Sequence, residues 1–115
     1  MKVFVYGTLL KGQGNHRLLK SAIYMSKDVV ANFEMRDLGA FPAVCDKEGK
    51  NILGEVYEID SETLINLDRL EGYPTFYNRK EVITELGNVA WIYFIENMGT
   101  TYPIITSGNW LDNGI

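Results

Sequence analysis

The sequence predicts a small mixed domain of strands and helices, on three observations. Short β-branched and aromatic runs stop at glycines or turn residues, as at 3–6, 52–59, 79–85 and 89–95. A capped amphipathic stretch at 60–72 reads as a helix. The 115 residues, 46% of them apolar and with no break in composition, suffice for one hydrophobic core, so a single domain over 1–115 is expected.

The elements follow in order. The run 3–6 is a buried strand that ends in a loop opened by Gly7, with Gly12 and Gly14 close behind. Asn15 is placed to cap a helix that begins near His16 and carries Leu18, Leu19 and Ile23. Mixed apolar and polar residues at 29–35 predict a strand, and a second short extended piece follows at 43–45. The stretch 47–51 reads as a solvated turn, and Gly54 inside the next strand marks a bulge or a close backbone approach. For the helix at 60–72, Asp60 or Ser61 can cap, Glu62 sits in the first turn, and Gly72 is placed to terminate. Gly87-Asn88 joins the last two strands as a hairpin, the second apolar on both faces and therefore central. The tail from Met98, with Gly99, Pro103, Gly108 and Gly114, reads as loop, anchored by Tyr102, Ile104, Ile105 and Trp110. About six strands and two helices result.

Composition narrows the function. The formal charge of −4 and the interspersed signs leave no basic stripe for nucleic-acid phosphates. No apolar run approaches a membrane-spanning length, and the opening seven residues are too short an apolar segment for a signal peptide. Cys45 is alone, which excludes an internal disulfide and fits a reducing compartment. The expectation is a cytoplasmic monomer with a small-molecule partner, binding neither nucleic acid nor membrane. His16 is also alone, and a lone histidine makes a poor metal site, so no metal is expected.

Two features could carry chemistry. With about 100° between successive helical residues, Leu64, Ile65, Leu67 and Leu70 form one apolar face, Glu71 falls near its middle and Arg69 points away. A carboxylate aimed at the core from the last helical turn is disfavoured as an anion by desolvation and again by the helix dipole. Its pKa should rise toward the range that general acid/base catalysis needs. The alternatives are a buried pairing of Glu71 with Arg79 or Lys80, or an exposed side chain on a frayed helix. The second feature is the Tyr6-Gly7-Thr8-Leu9 turn. Glycine there lets backbone N–H groups face a cavity and hold a carboxylate or a developing oxyanion. The alternative is a tight connector. Gly7 and Gly12 have phosphate-loop spacing, but Gln13 and Gly14 stand where that motif needs Lys and Ser/Thr. Gly12-Gln13-Gly14 fails as a dinucleotide fingerprint because Arg17 replaces the third glycine. Cys45 with His16 lacks a third residue to orient the base.

Taken together, Val3-Phe4-Val5-Tyr6-Gly7-Thr8-Leu9, Gly12-Gln13-Gly14-Asn15-His16-Arg17, Gly54-Glu55-Val56-Tyr57, Leu67-Asp68-Arg69-Leu70-Glu71-Gly72-Tyr73-Pro74 with Tyr77 and Arg79, and Ser107-Gly108-Asn109-Trp110 resemble the gamma-glutamyl cyclotransferase-like family. Within it the early motifs look most like the gamma-glutamylamine cyclotransferases. The resemblance runs from about Met1 to Trp110. It implies an α+β fold, a small mixed β-barrel flanked by a few helices, and a cofactor-free enzyme that closes a gamma-glutamyl amide into 5-oxoproline and a free amine. It implies Glu71 as the acid/base, Tyr6, Gly7, Thr8 and Leu9 as the substrate loop, and Tyr77 near the pocket. The chain stops sooner after Trp110 than some animal members, so a more open pocket is expected, with the leaving amine chosen around Phe41-Pro42 and the tail. The competing readings are a non-catalytic small-ligand module on the same fold, a cyclotransferase for another acyl amide, and acyl transfer through Cys45.

Overall fold

The computed structural model describes residues 1–112 and holds one five-stranded sheet, one α-helix and two short 3-10 turns. The strands are β1 (Lys2–Val5), β2 (Ile23–Asp37), β3 (Pro42–Glu58), β4 (Asn78–Ile83) and β5 (Val89–Phe94), in the spatial order β2-β3-β1-β5-β4. All neighbours run antiparallel except β1 and β5, which pair in parallel with Val3 opposite Trp91. Helix α1 covers Ser61–Glu71. Gly114 and the other two C-terminal residues lie outside the described part.

The sheet is packed on both faces. Phe4, Val30, Met35, Ile52, Val56 and Ile92 form one core cluster to which β1, β2, β3 and β5 contribute buried residues, with Val82 of β4 packed against it. This cluster is the interior of a curl. Val3, Val5, Tyr57, Leu67, Tyr77 and Tyr93 form the second, between the outer side of the central strands and α1. β1 is thus buried on both faces, which is why its four residues are an unbroken apolar run apart from Lys2.

The closed barrel implied by the family resemblance is not formed. Among the described residues β2 and β4 remain edges of a curled sheet, and they meet at one end only. There Glu85 N donates to Val29 O at 2.8 Å, and the buried Asp28 carboxylate accepts from Thr84 Oγ1, Asn88 Nδ2 and Leu86 N. Elsewhere β4 reaches β3 through a long side chain: Lys80 Nζ donates to Asp46 at 2.8 Å and passes over the rings of Phe33 and Phe94.

Other expectations are also revised. The helix expected from His16 is a single 3-10 turn, His16–Leu19, because the chain enters β2 at Ile23, whose side chain is exposed. Asn15 makes no capping bond there. The separate pieces at 43–45 and 52–59 are one strand, β3, and 47–51 is an irregularity within it. The register slips opposite Asn32, which takes a positive φ of 67° and accepts from Gly49 N at 3.1 Å. The β4–β5 hairpin and the capped α1 form as expected: Asp60 Oδ1 accepts from Thr63 N at 2.8 Å, and Gly72 closes the helix at φ 65°. The tail returns along β2, with Ile105 N bonded to Met35 O and Asp37 N to Pro103 O. Of its expected anchors Ile105 is buried and Trp110 half-buried, while Tyr102 and Ile104 are exposed.

Gly54 is the close approach that its position in the strand suggests. A Cβ there would fall on Val5 O and lie 2.6 Å from Phe4 Cζ, so any side chain would push β3 off β1. Gly54→Ala is expected to cost about 3 kcal/mol, the upper range for overpacking, read as a lowered midpoint in chemical denaturation. An unchanged midpoint would show that β1 and β3 can separate freely.

Candidate active site

A cavity of about 310 Å³ opens at the C-terminal end of β1, where the curl meets the layer under α1. All six residues singled out in the sequence line it: Tyr6, Gly7, Thr8, Leu9, Glu71 and Tyr77. They come from three places in the chain. The β1 terminus supplies the loop, the last residue of α1 supplies Glu71, and the segment leading into β4 supplies Tyr77.

Glu71 reaches the cavity because α1 buries a narrower stripe than its apolar residues suggest. Thr63 and Leu67 are buried and Leu64 is half-buried, whereas Ile65 and Leu70 are exposed. Glu71 continues the Thr63-Leu67 stripe at four-residue spacing. Burial alone pushes its carboxyl up to about 7. Neither cation suggested as its partner is available. Arg79 grips Asp68 through Nε and Nη2 at 2.9 and 3.2 Å, and Lys80 is bound to Asp46.

The loop is built for backbone exposure. Leu10 N closes on Gly7 O at 3.1 Å, and Asn15 N on Thr8 O at 2.9 Å. Among the described residues no acceptor engages the N–H groups of Gly7, Thr8 and Leu9. Gly7 is required for space rather than for an unusual φ: a Cβ would lie 2.6 Å from Pro42 Cγ. Asn15 belongs to the loop, its Nδ2 donating to Thr8 Oγ1 at 3.0 Å, so it lines the cavity where a helix cap was expected.

Tyr6 and Tyr77 spend their protons on the backbone. Tyr6 Oη donates to Tyr93 O at 2.7 Å, and Tyr77 Oη to Pro42 O at 2.6 Å. Burial, reinforced by the charge of Glu71, holds both phenols well above their ordinary pKa. They stay protonated, and toward the cavity each oxygen can only accept.

Sequence reasoning missed Asp68 and its bond with Tyr93. Asp68 lies one turn before Glu71, where it accepts from Tyr93 Oη at 2.7 Å as well as from Arg79, and the Arg79 guanidinium sits 4.4 Å from the ring centres of both Tyr73 and Trp91. The paired residues are 11 and 25 positions from Asp68, beyond any local spacing rule. Cys45 and His16 are not cavity residues. Burial and the nearby Glu34 raise the Cys45 thiol, which weakens it as a nucleophile, and His16 Nδ1 is engaged with Leu9 O at 2.9 Å.

Asp68→Asn, which strips the charge from a partly buried pair, is expected to destabilise the protein by about 2–3 kcal/mol, measured by denaturant unfolding. A second test uses the linkage of Glu71 to folding. Its folded pKa, about 7, lies above the ordinary 4.5, so its contribution is fully present below pH 4.5 and is lost as pH rises through 7. Glu71→Gln should therefore gain on the wild type between those pH values, by up to about 3 kcal/mol above pH 7 at about 1.4 kcal/mol per unit. Parallel stability curves across that window would place Glu71 in water.

Relatives share this arrangement of chain. Residues 3–112 match the family model for gamma-glutamyl cyclotransferase, AIG2-like. A Vibrio cholerae protein that carries the family's name is 37% identical over 109 residues, 94% of this chain and 93% of its own. The gamma-glutamylcyclotransferase family protein YtfP of Escherichia coli K12 is 35% identical over 112 residues, 97% of each chain. Among solved structures, an uncharacterised protein of Pyrococcus horikoshii superposes with a TM-score of 0.83 at 28% identity, covering 97% of this chain and 91% of its own. The mouse AIG2-like protein gives 0.79 at 25% identity, with 90% and 84% covered. The chain belongs to the gamma-glutamyl cyclotransferase, AIG2-like, family.

Proposed function

We propose that this protein releases an amine from a gamma-glutamyl amide by closing the glutamyl unit into 5-oxoproline, with Glu71 carrying the proton. The observation that carries the reading is a carboxyl group pushed up to about 7 by burial, lining one cavity with a loop whose Gly7, Thr8 and Leu9 N–H groups have no acceptor among the described residues.

The reaction is intramolecular. The substrate's α-ammonium gives one proton to water, and its nitrogen attacks the γ-carbonyl carbon. As the new N–C bond forms, Glu71 takes the second proton from that nitrogen. Glu71 then returns the proton to the amide nitrogen as the old C–N bond breaks, and the expelled amine is protonated in solvent. Holding the two ends of one molecule together is worth roughly 7–11 kcal/mol against a bimolecular attack. The enzyme's tasks are then to fold the substrate, move one proton and stabilise negative oxygen.

Each cavity group suits one of these tasks. The Gly7, Thr8 and Leu9 N–H groups receive the anionic oxygens of the substrate, the α-carboxylate and the developing oxyanion. The hydroxyl oxygens of Tyr6 and Tyr77, with protons committed elsewhere, accept from the α-amine and aim it. Glu71 near neutrality both accepts and returns a proton at little cost in either direction.

The test is mass-spectrometric detection of 5-oxoproline from gamma-glutamyl-alanine, gamma-glutamyl-epsilon-lysine, glutathione and an uncharged alkyl amide, gamma-glutamyl-propylamide. Glu71→Gln should keep the fold and lose at least roughly 10²-fold in turnover. In the wild type kcat/KM should rise with pH through about 7, since the base must be ionised, and the variant should lack that inflection. Wild-type kinetics in the variant would remove Glu71 from the role, and a folded protein without product would favour a binding module.

A further inference from the structure

The cavity lining has two unlike parts. One is polar, the hydrogen-bonded pair Thr8 and Asn15 with the loop backbone beside it. The other, an apolar wall, is Ala40, Phe41, Pro42, Leu70 and Phe76, without a polar side-chain atom among them. Burial orders the apolar wall by depth: Pro42 is buried, Phe41 half-buried, and Leu70 and Phe76 are 39% and 51% exposed, so the last two form the mouth. Among the described residues no lysine, arginine or histidine lines the cavity, and Glu71 is its one carboxylate.

The apolar wall and Glu71 are delivered by the same stretch of chain. Leu70 precedes Glu71, and the turn after Gly72 brings back Phe76, whose N–H donates to Gly72 O at 2.8 Å. Phe76 then meets Tyr77 and Phe41 at ring-centre distances of 5.1 and 6.0 Å. Leu70 and Phe76 are thus the partly solvent-facing apolar groups of the cavity that lie nearest in the chain to the proton carrier. Resting on the proposed cyclisation, we infer that the leaving amine carries an apolar body, a short alkyl or aryl group, and that Phe76 and Leu70 select it.

A charged leaving group finds no partner here. An ammonium on the departing chain would meet no carboxylate except the proton carrier itself, and stripping it of water against phenylalanine is unfavourable. A carboxylate on the departing chain would meet no cation and would repel Glu71.

The experiment compares isosteric amides by 5-oxoproline release from the wild-type protein: gamma-glutamyl-propylamide against gamma-glutamyl-(2-aminoethyl)amide, with the benzyl and methyl amides alongside. The propyl and benzyl amides should exceed the aminoethyl amide in kcat/KM by at least roughly tenfold, the low end for one group in an apolar pocket. Leaving-group chemistry works the other way, because the nearby ammonium makes the aminoethyl amine the easier one to expel. Phe76→Ala should shrink the preference for benzyl over methyl. Equal or better turnover of the aminoethyl amide, or a benzyl-to-methyl ratio untouched in Phe76→Ala, would overturn the inference and leave the cyclisation standing. Absence of 5-oxoproline from all four amides would instead bring down the proposed function, and this inference with it.

Discussion

The candidate site depends first on the grip of Arg79 on Asp68. The guanidinium binds the carboxylate through two nitrogens and is flanked by the rings of Tyr73 and Trp91, so helix α1 is fixed to β4 and β5 at its last turn. Glu71 follows Asp68 by less than one turn and inherits that position. Tyr93 extends the connection, since its hydroxyl donates to Asp68 while its carbonyl receives Tyr6 Oη. One chain of contacts thus runs from β4 through the helix and β5 to the end of β1. A loosened pair would move the carboxyl group and the loop relative to each other, and proton transfer tolerates little such movement.

The opposite side of the cavity is set by close packing without charge. Gly7 lets Pro42 reach the loop, and Gly54 lets β3 press on Phe4 and Val5, so β1 delivers its loop from a strand clamped on both faces. Rigidity of this kind suits backbone N–H groups that must hold an anion without reorganising.

Much of this was legible in the sequence. The cap at Asp60, the stop at Gly72 and the hairpin around Gly87 are local signals, and each forms. Glu71 and the Gly7 loop stand out for equally local reasons, a helical stripe and a strand that ends at glycine. The rest is written in partners far along the chain. Leu18, Leu19 and Ile23 have helical spacing, but the pull of a 15-residue β2 on its long neighbour β3 takes Ile23 into the sheet. The break at 47–51 reads as a turn because its residues are polar, whereas the left-handed Asn32 on β2 absorbs them within a continuing pair of strands. Asp68 looks like any exposed helical acid until Arg79 and Tyr93 are seen around it. The open edge between β2 and β4 also has no local sign, since it is set by how strands far apart in the chain curl toward each other.

The arrangement of charge around Glu71 explains why burial can act on it undiluted. Arg69 is exposed on the helix, and the cations after the helix are held by other acids, Arg79 by Asp68 and Lys80 by Asp46, with Arg36 likewise paired with Glu34. A cation placed beside Glu71 would favour the anion, draw its pKa down and make the returned proton harder to give. A fully enclosed carboxyl would err the other way and remain protonated when a base is needed. Glu71 stands between, half-buried at the end of its helix and shielded from neighbouring positive charge, so its two protonation states lie close in energy at neutral pH. The ionised form burdens the fold by up to about 3 kcal/mol above pH 7, which fits a residue retained for what it does to a substrate rather than for what it contributes to packing.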